Sequence, residues 1–320
     1  MTDSRLAKRP RLNEASYIRS KDFWIADGSV VLVAQKDAFR VHQSILSRKS
    51  SVFAQMFADT PPENSETYQD VPVVHVSDAR QDMRELLTVF YDGDKLLNTT
   101  ILTVAPLVLS AWLRLGIKYQ LDHLRYRVIT MLQERYPDTL KGHDEWTSKS
   151  SGITHSSWSE GRGDIIFLNL ARKFDLHTLL PGIFLACSQL RVDHLVVDPY
   201  PGDAKRMMIL SASDLRRCIE GRELLLAFHM KRFDFVFQPD IPTGCESALT
   251  CKEKLKSIRD FTWENDGLLD HHAPLRKFEF ICRNGFCSYC EEFYTEMDER
   301  AREQQWGELK SVFNLDQNSE

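Results

Sequence analysis

Residues 23–57 read FWIADGSVVLVAQKDAFRVHQSILSRKSSVFAQMF, and the change of period inside this stretch decides the fold. Asp27-Gly28 marks a turn, and Ser29 to Ala34 is a β-branched apolar run of strand length. Gln35-Lys36-Asp37 is polar and turn-like, and Ala38 to Val41 resumes a second short strand, so the pair reads as a hairpin. From His42 onward the period lengthens. Ile45, Leu46, Val52, Phe53, Met56 and Phe57 recur at spacings that suit helices with one buried face.

The same alternation continues outward. Residues 59–70 form a polar loop rich in Pro, Asn, Glu and Ser, after which Val71 to Val76 reads as a third strand. Ser77-Asp78 is positioned to cap a helix with Met83, Leu86, Leu87 and Phe90 on its apolar side. Val104 to Tyr119 is a helical run presenting Leu107, Val108, Ala111, Trp112 and Leu115, and the next, Leu121 to Glu134, stops before Pro137. His75 reads as a strand residue, since no nucleophile or carboxylate motif stands near it.

These residues resemble the BTB/POZ family. The resemblance rests on Val30, Val31 and Leu32 in the first strand, on Phe39, Val41 and His42 closing the second, and on Ile45, Leu46, Phe53, Met56 and Phe57 in the helices. Leu113 to Tyr119 is similar to the family's closing L-x-x-A-x-K-Y helix, and the wording around residues 23–42 resembles the large basidiomycete BTB set. Ser29 and Gln43 replace the usual Asp and Lys, so the charged pocket of some relatives is not implied. What the resemblance implies is an α+β fold, a short three-stranded sheet with surrounding helices over residues 21–136, followed by a mainly helical domain. It also implies homo- or heterodimerisation, with Phe23, Trp24 and Ile25 as candidate interface residues.

A chain of 320 residues has room for two cores. Its 42% hydrophobic and 27% charged residues are ordinary for a folded protein, and the net charge of −5 gives no general reason to bind nucleic acid. No stretch has the length of uncharged apolar sequence that a membrane span needs, so an intracellular protein of nucleus or cytoplasm is expected. Residues 1–20 read as a disordered basic tail in which Lys8, Arg9 and Arg11 form either a nuclear import signal or a solvated cluster. Residues 137–164, rich in Ser, Gly and Thr, are expected to be a linker or long loop, and residues 165–320 a helical domain. There Ile165 to Phe174 and Leu176 to Leu190 pair as helices broken near Asp175, and a further long helix is capped at Ser211 or Ser213.

Seven cysteines in an intracellular chain point to thiols or metal rather than to disulfides. Cys287 and Cys290 form a CxxC behind Gly285 and Phe286, the spacing with which one tight turn delivers two sulfurs to a zinc ion. Cys245 and Cys251 are the candidate second pair, with Cys282, His271 and His272 as alternative ligands, and the similar fungal proteins carry two cysteine pairs ahead of a terminal W-x-x-L, here Trp306 to Leu309. Free cysteines and a redox CxxC are the other readings of this set, whereas Cys187 and Cys218 fall in core positions. The chain lacks GxGxxG, P-loop, HExxH and GxSxG motifs, so the expectation is a non-enzymatic interaction module. It is either a dimerising scaffold that can serve as a cullin-RING ubiquitin ligase adaptor or a nuclear transcription regulator. Against cullin binding, Pro61-Pro62-Glu63 is a poor substitute for the hydrophobic-x-Glu motif of cullin-binding relatives.

Overall fold

A computed structural model describes residues 17–59, 66–93, 99–150, 162–196, 207–237, 241–264, 274–277 and 285–316. The chain divides into two compact units, Met1–Met131 and Leu132–Glu320.

The first unit is built on a sheet whose strand order is β1-β3-β2-β5-β4, comprising β1 (Ile18–Trp24), β2 (Val30–Ala34), β3 (Asp37–Val41), β4 (Thr67–Tyr68) and β5 (Val71–Val76). β2 lies in the middle, antiparallel to β3 and parallel to β5, and all five of its residues are buried. An unbroken VVLVA run is what a strand covered on both faces requires. Gln35 turns the β2–β3 hairpin in the left-handed region (φ 57°), and Gln69 and Asp70, at φ 46° and 63°, turn β4 into β5.

Helices α1 (Gln43–Lys49), α2 (Ser51–Ala58), α3 (Arg80–Tyr91), α4 (Pro106–Lys118) and α5 (Asp122–Arg135) supply the rest, α5 running on into the second unit. Ser50 caps α2 by accepting from the Phe53 amide at 3.1 Å, and its own hydroxyl donates to the Tyr119 carbonyl at 2.7 Å. That bond ties the start of α2 to the end of α4. Beside it Phe53, fully buried, stacks on the Tyr119 ring with centroids 4.2 Å apart and planes within 5°. The Ser77-Asp78 cap expected for α3 does not form: Ala79 is the N-cap and makes no side-chain bond. Asp78 instead accepts from Lys118 at 2.7 Å and from the Tyr119 hydroxyl, a charge-assisted use that outweighs a solvent-facing cap.

The sheet has five strands rather than three, because β1 and β4 add edges that the sequence pattern did not mark. β1 takes Ile18 to Ser20 out of the expected tail, leaving Lys8, Arg9 and Arg11 outside the described residues. Phe23 is the one residue of β1 that is buried, so its pattern is too polar to read as a strand.

The second unit is helical: α6 (Leu140–Ser150), α7 (Arg162–Lys173), a 3-10 turn (His177–Leu179), α8 (Leu180–Ser188), α9 (Val192–Leu195), α10 (Ala212–Arg232), α11 (Asp234–Phe237), α12 (Ala248–Glu264), α13 (Ser288–Gly307) and α14 (Leu309–Val312). Asp175 breaks α7 from the next turn at φ 54°, and Ser211 caps α10 by accepting from the Asp214 amide. The Phe184 and Phe313 rings stack 5.3 Å apart, joining α8 to the chain just beyond α14, and Cys187 and Cys218 are fully buried, as core positions should be.

Within the stretch expected to be a linker or long loop, the described residues 140–150 form α6, none of whose residues is buried, because polar contacts hold it. Asp144 pairs with Arg302 and with Lys277, and the Trp306 indole donates to the Asp138 carbonyl at 3.1 Å. Arg302, buried, also donates to the Leu275 carbonyl at 2.7 Å, and Arg232 donates to the Pro274 and Arg276 carbonyls, so two arginines clasp residues 274–277.

Candidate metal centre

Four sulfurs from three separate stretches of the second unit converge on one point. Those of Cys245, Cys251, Cys287 and Cys290 all lie within 4.8 Å of one another, and Cys245 and Cys287 are 3.8 Å apart. The folding that brings them there is local. The Cys245 amide donates to the Pro242 carbonyl, closing a turn that presents the first sulfur, and Cys251 sits in the first turn of α12. Gly285 takes φ 66°, a left-handed conformation costly for a residue with a Cβ, and reverses the chain into Phe286 and Cys287. Cys287 then caps α13, whose first turn carries Cys290.

Cys251 and Cys290 are buried in a cluster with Phe233, Val236, Leu255, Ile258, Phe286 and Tyr294, against which the half-buried Cys245 and Cys287 also pack. Gly244 sits against the Tyr289 ring so closely that an added Cβ would lie 2.4 Å from it. A side chain at position 244 would therefore have to displace the exposed Tyr289 ring, a contact that reading the cysteines alone did not reveal.

The donor set fits zinc. A tetrahedral ion with Zn–S bonds of about 2.3 Å places its sulfurs about 3.8 Å apart, the separation already present between Cys245 and Cys287. The environment polarises the four thiols unequally. Hydrogen bonding from the Cys290 amide, aided by that of Glu246, pushes the Cys287 thiol down to about 6, whereas burial raises Cys251 and Cys290. Two buried thiols that resist ionisation become good ligands only when a cation stands among them, and metal binding then releases their protons. With four protein sulfurs the site is closed, which suits a structural ion rather than one that keeps a position open for water or substrate. The alternative ligands His271, His272 and Cys282 lie outside the described residues.

In the first unit, Val30, Val31, Leu32, Phe39, Val41, Leu46 and Phe53 are buried, and Ile45, Met56 and Phe57 are half-buried beside them. His42 is held from two sides, with Nδ1 at 3.0 Å from the Tyr91 hydroxyl and Nε2 at 3.3 Å from Asp27. A family model for the BTB/POZ domain matches residues 27–136. Those residues form a BTB/POZ domain.

No curated protein and no solved structure gives a significant match to the chain. The BTB domain makes the chain a carrier of a protein–protein interaction module. Of the three residues expected at a BTB dimer interface, Phe23 is committed to its own unit, buried with its ring 6.0 Å from Tyr91. Trp24 and Ile25 are half-buried and retain exposed surface; the Trp24 indole stands edge-on to Tyr68, with the Arg19 guanidinium 5.0 Å over its face. Ile18, on the same edge strand as Trp24, is 59% exposed. Among the described residues no helix is long and apolar enough to cross a membrane.

Proposed function

We propose that the chain is a non-enzymatic scaffold. Its BTB domain pairs with a second BTB domain, its own copy or a paralogue, while the metal-stapled helical unit offers surface to another protein. The observation that carries this reading is the BTB match over residues 27–136, joined to a cysteine set with no open coordination position. Ile18, Trp24 and Ile25 leave apolar surface exposed on and beside the edge strand of the sheet, which suits a self-complementary contact. Light scattering on the full chain at tens of micromolar tests the pairing. A dimer that Trp24→Glu converts to monomer supports it, and a monomeric wild-type chain rejects it.

The finer role, in nucleus or cytoplasm, divides into two. A cullin-RING ubiquitin ligase adaptor would recover a cullin and a RING subunit on affinity purification from native cells, and would lose both on deletion of residues 27–136. A transcription or chromatin regulator would recover nuclear partners instead and depend on Lys8, Arg9 and Arg11 for import. Against the adaptor role, Pro61-Pro62-Glu63 departs from the cullin-binding motif. Against the regulator, the net charge of −5 gives no general reason to bind nucleic acid and no C2H2 spacing follows the BTB domain.

A further inference from the structure

The four sulfurs of the metal centre are not equivalent in exposure or in support. Cys251 and Cys290 are fully buried, each in the first turn of a helix, α12 and α13. Cys245 and Cys287 are half-buried and stand on backbone outside those helices. Cys245 lies in the turn its amide closes on the Pro242 carbonyl, and Cys287 is the N-cap of α13, at φ −65° and ψ 157°. The sulfurs of this outer pair are 3.8 Å apart.

A cysteine bound to zinc is a thiolate, and a thiolate that solvent reaches is the form a peroxide oxidises. We infer that Cys287 and Cys245 are a peroxide-sensitive pair whose oxidation to a disulfide releases the metal. The inference rests on the reading of the four sulfurs as a zinc site and adds its regulation. The Cys287 sulfur attacks one oxygen of hydrogen peroxide, the O–O bond breaks, hydroxide leaves, and the sulfur becomes a sulfenic acid. The Cys245 thiolate then attacks that sulfur, the S–S bond forms, the S–O bond breaks, and a second hydroxide leaves. Solvent protonates both hydroxides to water, so two thiolates lose two electrons and one peroxide gains them.

Geometry selects Cys245 as the second sulfur. The pair must close from 3.8 Å to about 2.05 Å, and a turn can shift that far without unwinding a helix. Cys290, the other half of the CxxC, is fully buried and fixed in the first turn of α13. Once the disulfide forms, only Cys251 and Cys290 remain for an ion that takes four ligands. The new bond still joins the turn before α12 to the start of α13, across 42 positions of sequence, so the oxidised chain keeps one tie and loses the metal's link from α12 to α13.

The test uses the full-length chain purified without chelator. Its zinc is counted first, and a chain with none fails the metal reading, and this inference with it, before any peroxide is added. Hydrogen peroxide is then added in molar excess with a chromophoric chelator present, and the chain is denatured, alkylated and mapped by mass spectrometry. Release of about one zinc per chain is expected, with a Cys245–Cys287 disulfide, and with Cys187, Cys218, Cys251 and Cys290 alkylated. Dithiothreitol with added zinc should reverse it. Cys245→His keeps a zinc ligand and removes the resolving sulfur, so it should release zinc about tenfold more slowly and accumulate a Cys287 sulfenic acid that dimedone traps. Zinc retained by the wild-type chain under peroxide overturns the inference. So does a disulfide joining any other pair, or equal release from a zinc-loaded Cys245→His chain. The wild-type disulfide map decides alone if that variant binds no zinc.

Discussion

The two halves of the chain solve the problem of holding a core by different means. The BTB unit buries β2 completely between β3 and β5 and packs Phe53 against Phe90 and Tyr119, so burial of apolar area dominates. The helical unit adds to its apolar core a set of polar and covalent-like ties: the Arg135–Asp164 and Arg302–Asp144 ion pairs, two arginines on the carbonyls of residues 274–277, and four sulfurs at one point. The BTB unit should therefore be indifferent to chelators, and the helical unit sensitive to them. A buried apolar strand needs no cofactor, whereas a cluster of four thiols can hold a metal ion that would tie its stretches together.

The largest effect separating the halves should come from Cys251→Ser, which removes a buried ligand. It is expected to abolish stoichiometric zinc and to expose residues 241–316 to protease while the BTB unit stays resistant, since structural zinc commonly contributes on the order of 10 kcal/mol of apparent binding energy. Loss of protection in both units together would break the distinction.

Next in size, Phe53→Ala should cost the BTB unit about 3–5 kcal/mol, the usual result of deleting a large buried ring, read as a lower urea midpoint with zinc content unchanged. Gly244→Ala should act only on the helical unit. Its Cβ must displace the Tyr289 ring, and zinc affinity by competition with a chromophoric chelator should drop about tenfold, with Tyr289→Ala restoring it.

The smallest effect should be shared by both units. Burial raises the hydroxyl of Tyr119 in the first and of Tyr136 in the second, each reinforced by a carboxylate, Asp78 and Asp164. Because the folded values lie above the unfolded value of about 10, the stabilisation is complete below about pH 10. It is lost as pH rises further, since the unfolded chain releases its protons first. Melting curves at alkaline pH should slope downward for both transitions, and Tyr119→Phe should flatten only the first.

What the sequence disclosed follows the same division. Val30 to Ala34, Phe39, Val41 and the CxxC at Cys287 and Cys290 carry their structure in their own spacing, and all lie where that spacing implies. β1 was opaque because IRSKDFW buries Phe23 alone, and the two-residue β4 is too short for any period to register. α6 was opaque for another reason: LKGHDEWTSKS has no buried residue, and its anchors, Arg302 and Trp306, are more than 150 residues away in sequence. Cys245 and Cys251 were readable as a pair, but the Gly244–Tyr289 contact that supports them was not, being a matter of space rather than pattern.

The central claim, that a metal ion staples the helical unit and leaves the BTB unit to its apolar core, is tested most directly by one paired measurement. Zinc is quantified in the full chain purified without chelator, and the same sample is then melted by calorimetry before and after chelation. About one zinc per chain is predicted, with chelation lowering one transition, assigned to Leu132–Glu320 by protease mapping, and leaving the BTB transition in place. A metal-free chain whose transitions do not move on chelation would contradict it.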